Sequence, residues 1–426
     1  LADGRCPKTA QEINAITEQK KVTWATIDKR LIVVLLIVFV QFVGAAMVLP
    51  ILPLYAKNRF AMSFETITLL NTAFFAAQFL AGPYIGRLSD RYGRVPVLFV
   101  SQLGTALSFL MIALAQSPEM LLVARLLDGI TGGNIIVARA YITDITPPEQ
   151  RTQALGYIAA ALGTGFIFGP AIGGIASGLF TYEAPFFLAA LVAFGLAFLT
   201  WRMLDETVSA EERENNRKRK TSSLSPRRIL ANGPLLSVLL IVLGAQFAFA
   251  MLQNTFALYG EAVIFADTPE TVEIGVGLLL AVVGVGQIMT QVFLVRRFVR
   301  WFGEPKMVVI GNVFRLVALI LLIFAPNVVF ASLALLVLAV GGGTQQPALQ
   351  TMSIATVDPS ERGAVLGVYQ SAFSLAIIFG SAIAGTLFAI APQVPFAVGA
   401  AALALMIVPS VMLMRWSQRQ PDVAVG

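Results

Sequence analysis

Twelve long apolar runs, parted by shorter polar stretches, organise this chain. They lie near residues 31 to 54, 66 to 85, 95 to 115, 119 to 143, 152 to 180 and 184 to 201, then near 234 to 265, 273 to 295, 306 to 325, 328 to 355, 363 to 391 and 394 to 414. As a helix, each run is long enough to cross about 30 Å of hydrocarbon. Prolines and glycines inside them do not exclude helices, because neighbouring helices can satisfy the freed backbone groups. The pattern predicts an all-α membrane protein with twelve transmembrane helices. Composition agrees: 57% of residues are hydrophobic and 13% charged, against about 25% charged in a soluble domain, so the apolar surface could not be hidden from water.

The polar stretches give the organisation. A tail over 1–30 precedes a first set of six spans over 31–204, a charge-dense linker over 205–233 leads to a second set over 234–416, and a tail over 417–426 follows. The linker holds Arg217-Lys218-Arg219-Lys220, which reads as a solvated connector or as a contact for lipid headgroups. The halves repeat one another. Pro148-Glu149-Gln150-Arg151-Thr152-Gln153-Ala154-Leu155-Gly156 aligns with Pro359-Ser360-Glu361-Arg362-Gly363-Ala364-Val365-Leu366-Gly367, and Gln41-Phe42 echoes Gln246-Phe247. Two pseudo-symmetric six-helix bundles fit a parallel-repeat transporter whose substrate lies between the halves.

Basic residues set the orientation. With an even number of spans, the N-terminal tail, the stretch Gly86-Arg87-Leu88-Ser89-Asp90-Arg91-Tyr92-Gly93-Arg94 and the 213–228 segment share one side, which is the cytoplasm by the positive-inside rule. Opposite them, only Lys57 and Arg59 in the first loop are basic. The net charge of +6 therefore reflects topology and calls for no nucleic-acid partner. Residues 1–30 lack the apolar core of a cleavable signal. A lone Cys6 and the absence of histidine exclude a disulfide, a metal cluster and a histidine proton relay. No P-loop spacing appears, so direct ATP hydrolysis is not expected. No cofactor or metal is expected, and the chain is expected to act as a monomer among membrane lipid.

The stretch 86–94, with its glycines and alternating charges, suits a tight, solvated turn between two spans. In the form Gly86-x-Leu88-x-Asp90-Arg91-x-Gly93-Arg94 it resembles the signature of the major facilitator superfamily, with Val95 where a second basic residue is common. Its counterpart in the second half is Arg296-Arg297-Phe298-Val299-Arg300-Trp301-Phe302-Gly303-Glu304, in which Arg300 replaces Asp90. Gly156, Gly165, Gly169-Pro170 and Gly173-Gly174 resemble the fifth-helix motif of exporters that exchange substrate for protons. Arg125, with Leu121, Gly129 and Gly133, resembles the fourth-helix arginine motif. Gly44, Pro50 and Pro53 resemble a first-helix motif of drug antiporters, and Gly341-Gly342-Gly343 with Pro347-Ala348-Leu349-Gln350 extends the likeness to tetracycline and multidrug proton antiporters. That group has the twelve-helix major-facilitator fold and sits, in bacteria, in the inner membrane with both termini cytoplasmic. The likeness departs at Gln41, Ser108 and Arg315, where the tetracycline exporters would have acidic residues, so tetracycline itself is not the expected cargo.

Charge inside the spans points to mechanism, because each such group costs about 2.5 to 3.5 kcal/mol near the bilayer centre unless paired or wet. Arg125 and Asp128 lie one helical turn apart and can pair. Asp128, the acidic residue deepest in a span, reads as a proton-carrying carboxylate, as half of a static ion pair, or as a substrate contact. Arg315 and Arg139 add positive charge, favouring neutral, zwitterionic or anionic amphiphiles over organic cations. Arg139 reads either as a pair for Asp144 or as a substrate contact. Gln41, Asn134, Gln246, Gln253, Asn254, Gln345, Gln346 and Gln350 lie on the first, fourth, seventh and tenth spans, which the resemblance makes cavity-lining. With Phe42, Phe247, Phe249 and Arg315 they form the expected substrate set, although interhelical hydrogen bonding is an equal reading for any one amide. Gly86, Asp90, Arg91, Gly93, Arg94, Arg139, Asp144, Gly165, Gly169 and Pro170 form the expected gating set, with Arg94 facing Asp144; the glycines read as a seal or as ordinary helix packing.

The expected activity is secondary transport by alternating access, exporting a hydrophobic or amphiphilic small molecule against entering protons. The alternatives are an exporter or facilitator of a sugar or organic anion, and a non-transporting membrane scaffold or receptor.

Overall fold

The computed structural model describes residues 29–147, 150–209, 226–358 and 361–419, and these are helical with no strand among them. The twelve spans are α1 (Arg30–Phe60), α2 (Phe64–Tyr92), α3 (Arg94–Ala113), α4 (Pro118–Ile145), α5 (Gly156–Leu179), α6 (Ala184–Met203), α7 (Gly233–Ile264), α8 (Pro269–Phe302), α9 (Glu304–Ile323), α10 (Val328–Ala355), α11 (Arg362–Ile390) and α12 (Val394–Gln418). All are long and apolar enough to cross a membrane. Most of both tails, the basic run of the linker, and Pro148, Glu149, Pro359 and Ser360 of the repeat lie outside the described residues.

Local chemistry sets where helices begin and end. Ser63, Ser117, Asn232 and Asn327 each accept a backbone N–H three residues on, at the starts of α2, α4, α7 and α10. The stretch 86–94 differs from its expected form: residues 86–92 continue α2, and only Gly93 stands outside a helix. A single residue suffices because Gly93 takes φ 109°, a region side chains resist, so the chain reverses without a loop. Gly303, at φ 73° between α8 and α9, makes the same joint in the second half.

Three apolar clusters hold the bundle. Two sit at the end bearing Gly93 and Gly303, and each belongs to one half: Val34, Ile37, Leu98, Tyr141 and Ile142 in the first, Val238, Met307, Leu349 and Tyr369 in the second. The third, at the opposite end, draws on both, bringing Tyr55, Ile67 and Phe186 into one core with Phe256, Tyr259 and Phe396. The halves are thus welded at the far end and hold separate cores at the signature end.

Polar contacts cross between the halves on the welded side. Lys57 Nζ meets Glu261 Oε2 at 2.9 Å, the Tyr182 hydroxyl donates to Glu273, Thr72 and Ser381 share a hydroxyl bond of 3.0 Å, and Gly385 N donates to Thr68 Oγ1 at 3.1 Å. Here α5 and α8 run almost backbone to backbone. A Cβ on Gly277 would lie 2.4 Å from Pro170 O and 3.0 Å from Gly174 Cα.

Candidate transport site

The charged centre is built on α4. Arg125 and Asp128, three apart on one helical face, are both buried, at 3% and 5% exposure, and Arg125 Nη1 donates to Asp128 Oδ2 at 3.0 Å. Two charges removed from water need more than each other. Arg125 Nη2 donates to Asn71 Oδ1 of α2 at 3.1 Å, and its guanidinium lies 4.1 Å from the centre of the Phe74 ring. Asn71 Nδ2 then donates to Asn254 Oδ1 of α7 at 2.9 Å. The pair of the first half is therefore wired, through one amide, to the second half.

The second half has its own buried cation. Arg315 of α9 is 5% exposed and reaches between α7 and α10, where Nη1 donates to Gln345 Oε1 at 2.9 Å and Nη2 to Ala245 O at 2.6 Å. Gln345 in turn donates to Asn312. Both acceptors of Arg315 are neutral.

The expected substrate residues take separate partners. Gln345 serves Arg315, Asn254 serves Asn71, and Gln41 donates to Thr105 at 3.4 Å. Phe42 packs on Phe166 of α5, with ring centres 5.3 Å apart. The backbone of Phe247 packs against Gly380 of α11. Asn134 is buried with no acceptor for its Nδ2, and Gln246 is buried too. Gln346 is half-buried, and Gln350, one turn on, is exposed.

At the signature end, Arg94 is the hub. Nη1 donates to Asp90 Oδ1 and to Ser89 Oγ, and Nε to Asp144 Oδ2 at 3.0 Å. Glu206 accepts from the backbone N of Arg94 and Val95, covering the start of α3 with a carboxylate. Asp144 takes Arg94 and Thr207 rather than Arg139, which the sequence offered as its pair and which is exposed. Arg91 is also exposed, over the ring of Tyr92 at 5.3 Å. Gly86 is helical, and a Cβ there would lie 3.9 Å from Ile136 of the same half. Every partner of Arg94 belongs to the first half, so this clasp ties α2, α3 and α4 to the segment after α6. On α5, Gly165 and Gly169 seat α1 against the helix, while the carbonyl of Pro170 faces α8 of the other half.

Sequence reasoning missed Asn71, Phe74, Thr105 and Glu206. Asn71 is one of two amides in its span, with Gln78, which was a usable signal. Glu206, counted with the linker, gave none.

Comparisons with known proteins bear on this arrangement. The family model for the Major Facilitator Superfamily matches residues 34–271 and 256–425. The chain is 28% identical to Multidrug resistance protein 2 of Bacillus subtilis (strain 168), over 96% of this chain and 98% of that one. It is 31% identical to the class C Tetracycline resistance protein of Escherichia coli, over 92% and 98%. Among solved structures, it is similar in fold to a bacterial homologue of the human lysosomal transporter Spinster in an inward-facing, unoccupied conformation, with TM-score 0.72, 17% identity, and coverage of 93% and 98%.

Proposed function

Because the chain belongs to the major facilitator superfamily and is a multi-pass membrane transporter rather than an enzyme, we propose that it exports a hydrophobic or amphiphilic compound in exchange for protons, by alternating access. The carrying observation is the chain of contacts from Asp128 through Arg125 and Asn71 to Asn254. Asp128 is the carboxylate that takes and yields the proton, and Asn254 reports which way the second half is tilted. When the bundles 31–204 and 234–416 rock apart at their welded end, Asn71 loses Asn254 and its grip on Arg125 changes. The balance between Arg125 and burial at Asp128 then shifts, which is the differential interaction an exchange cycle needs.

The relatives named for multidrug and tetracycline resistance support a drug-like cargo. Separate cores at the signature end and a joint core opposite support a state open on the signature side. That side is cytoplasmic by charge, with both termini there, in a bacterial inner membrane. Cargo enters from that side among Phe247, Phe249, Gln346 and Gln350, and the clasp at Arg94 keeps the first half rigid while the halves rock.

The test is transport in proteoliposomes under an imposed pH gradient, with several unrelated lipophilic compounds. Flux that follows the gradient supports exchange, and flux indifferent to it removes proton antiport. A second reading, export of an anionic metabolite, is favoured by Arg315, whose acceptors are both neutral; saturation by one polar anion, with no response to lipophilic compounds, would select it.

A further inference from the structure

The halves differ in how their signature-end joints are neutralised. In the first, Arg94 is bonded to Asp90 and Asp144, and Glu206 covers the start of α3. The second exchanges the charges, with Arg300 at the place of Asp90 and Glu304 at that of Arg94, yet no ion pair joins them. Among the described residues, the side chains of Arg296, Arg297 and Arg300 have no hydrogen-bond or ion-pair partner, and all three are exposed. After a π-helical turn at Thr290–Leu294, residues Val295–Phe302 form a regular α-helix. Arg296 and Arg297 each lie one turn from Arg300, so the three cations share a face.

What leads up to that face is apolar. Helix α8 is the least buried of the twelve spans, and Met289 and Phe293, in the turns just before the arginines, are 51% and 58% exposed. Trp301, one turn from Arg297, is 67% exposed, and an indole suits the boundary between hydrocarbon and headgroups. A helix that offers lipid its apolar side chains and then three unpaired cations complements a molecule with acyl chains and an anionic head. A soluble anion would match only half of that surface.

We propose that this end of α8 is a binding site for an anionic phospholipid, with the phosphate among Arg296, Arg297 and Arg300 and an acyl chain along Phe293 and Met289. The lipid supplies the negative charge that Asp90 and Asp144 supply in the first half. One joint is closed within the chain, the other by the membrane.

The test is native mass spectrometry of the full chain released from detergent, titrated with phosphatidylglycerol or phosphatidylcholine bearing the same acyl chains. The two lipids differ in net charge. Each arginine near an anionic headgroup contributes about fivefold to binding, so wild type should hold its first phosphatidylglycerol at least about tenfold more tightly than phosphatidylcholine. Arg296→Gln/Arg297→Gln/Arg300→Gln should weaken phosphatidylglycerol by roughly ten- to hundredfold and leave phosphatidylcholine unchanged. Arg202→Gln/Arg415→Gln/Arg419→Gln removes three other exposed cations from the same end and should keep the preference, which separates a site from general attraction to positive charge. Where the α8 triple variant lowers the folded yield, Arg300→Gln alone should still cost about fivefold. The spectra also count chains, so a second copy seated on this face would appear as dimers lost in the α8 variant. Such dimers, equal affinities of wild type for the two lipids, a preference untouched by loss of the α8 arginines, or an equal loss in both triple variants would each overturn the proposal.

Discussion

Substitution of Gly277 by alanine tests how the halves are joined. A Cβ at that position would fall 2.4 Å from Pro170 O and 3.0 Å from Gly174 Cα. Carbon and carbonyl oxygen ordinarily approach no closer than about 3.3 Å, so α5 and α8 must part by roughly 0.9 Å here. Both obstructing atoms are backbone, so no side chain can rotate out of the way. Overpacking of this kind costs about 1–3 kcal/mol, and the cost falls on the state in which this end is shut. Where α5 and α8 separate, the methyl group meets no obstacle. A coupling of that size is roughly a 5- to 150-fold change in the ratio of the two states. Spin labels at Arg59→Cys and Asp267→Cys, both exposed near the welded end, on a Cys6→Ser background, would read the separation by pulsed electron resonance. Gly277→Ala should add or enlarge a long-distance population. An unchanged distance distribution in a folded variant would show that this contact does not hold the end closed.

Three further outcomes follow from particular contacts. Asn71→Ala removes one acceptor from buried Arg125 and the link to Asn254, and should lower stability by about 1–2 kcal/mol, seen as a lower melting temperature in detergent. Arg94→Gln leaves Asp90 and Asp144 facing one another. Their carboxylates are 45% and 32% exposed, so screening trims the loss to about 1 kcal/mol, and high salt should narrow the melting difference from wild type. Tyr182 lies outside the spans, and its phenol is pushed up to about 12, first by burial and then by its bond to Glu273. A raised phenol keeps its proton longer in the folded chain, so the crossing bond stabilises below the ordinary value of 10.0 and is lost as pH climbs through about 12. Melting curves of wild type and Tyr182→Phe should differ at neutral pH and converge above that range; a constant gap would contradict the assignment.

Much of this architecture was legible in the chain. The apolar runs mark all twelve spans, but the helices outrun them: α1 carries on through Lys57 and Arg59, and α8 through Arg296, Arg297 and Arg300. Long basic side chains can place their charge in the headgroup region while the backbone stays helical, so an apolar pattern ends before the helix does. Arg125–Asp128 and Arg94–Asp144 were readable because opposite charges inside or beside a span have few places to go. The partners of the amides were not readable. Lipid and protein interior are equally apolar, so the sequence does not fix the rotation of a span about its axis. Gln41 and Gln345 accordingly turn toward partners in their own halves. The Asn71–Asn254 bond joins residues 183 apart, and no local pattern encodes it.

The central claim is that protons and cargo exchange through Asp128. Proteoliposomes loaded with a trapped pH-sensitive dye would measure it most directly, as the proton movement that follows addition of a transported lipophilic compound with no gradient imposed. Wild type should move protons opposite to the compound, and Asp128→Asn should bind the compound yet move none. Equal proton movement in Asp128→Asn, or none in a wild type that transports the compound, would contradict the account.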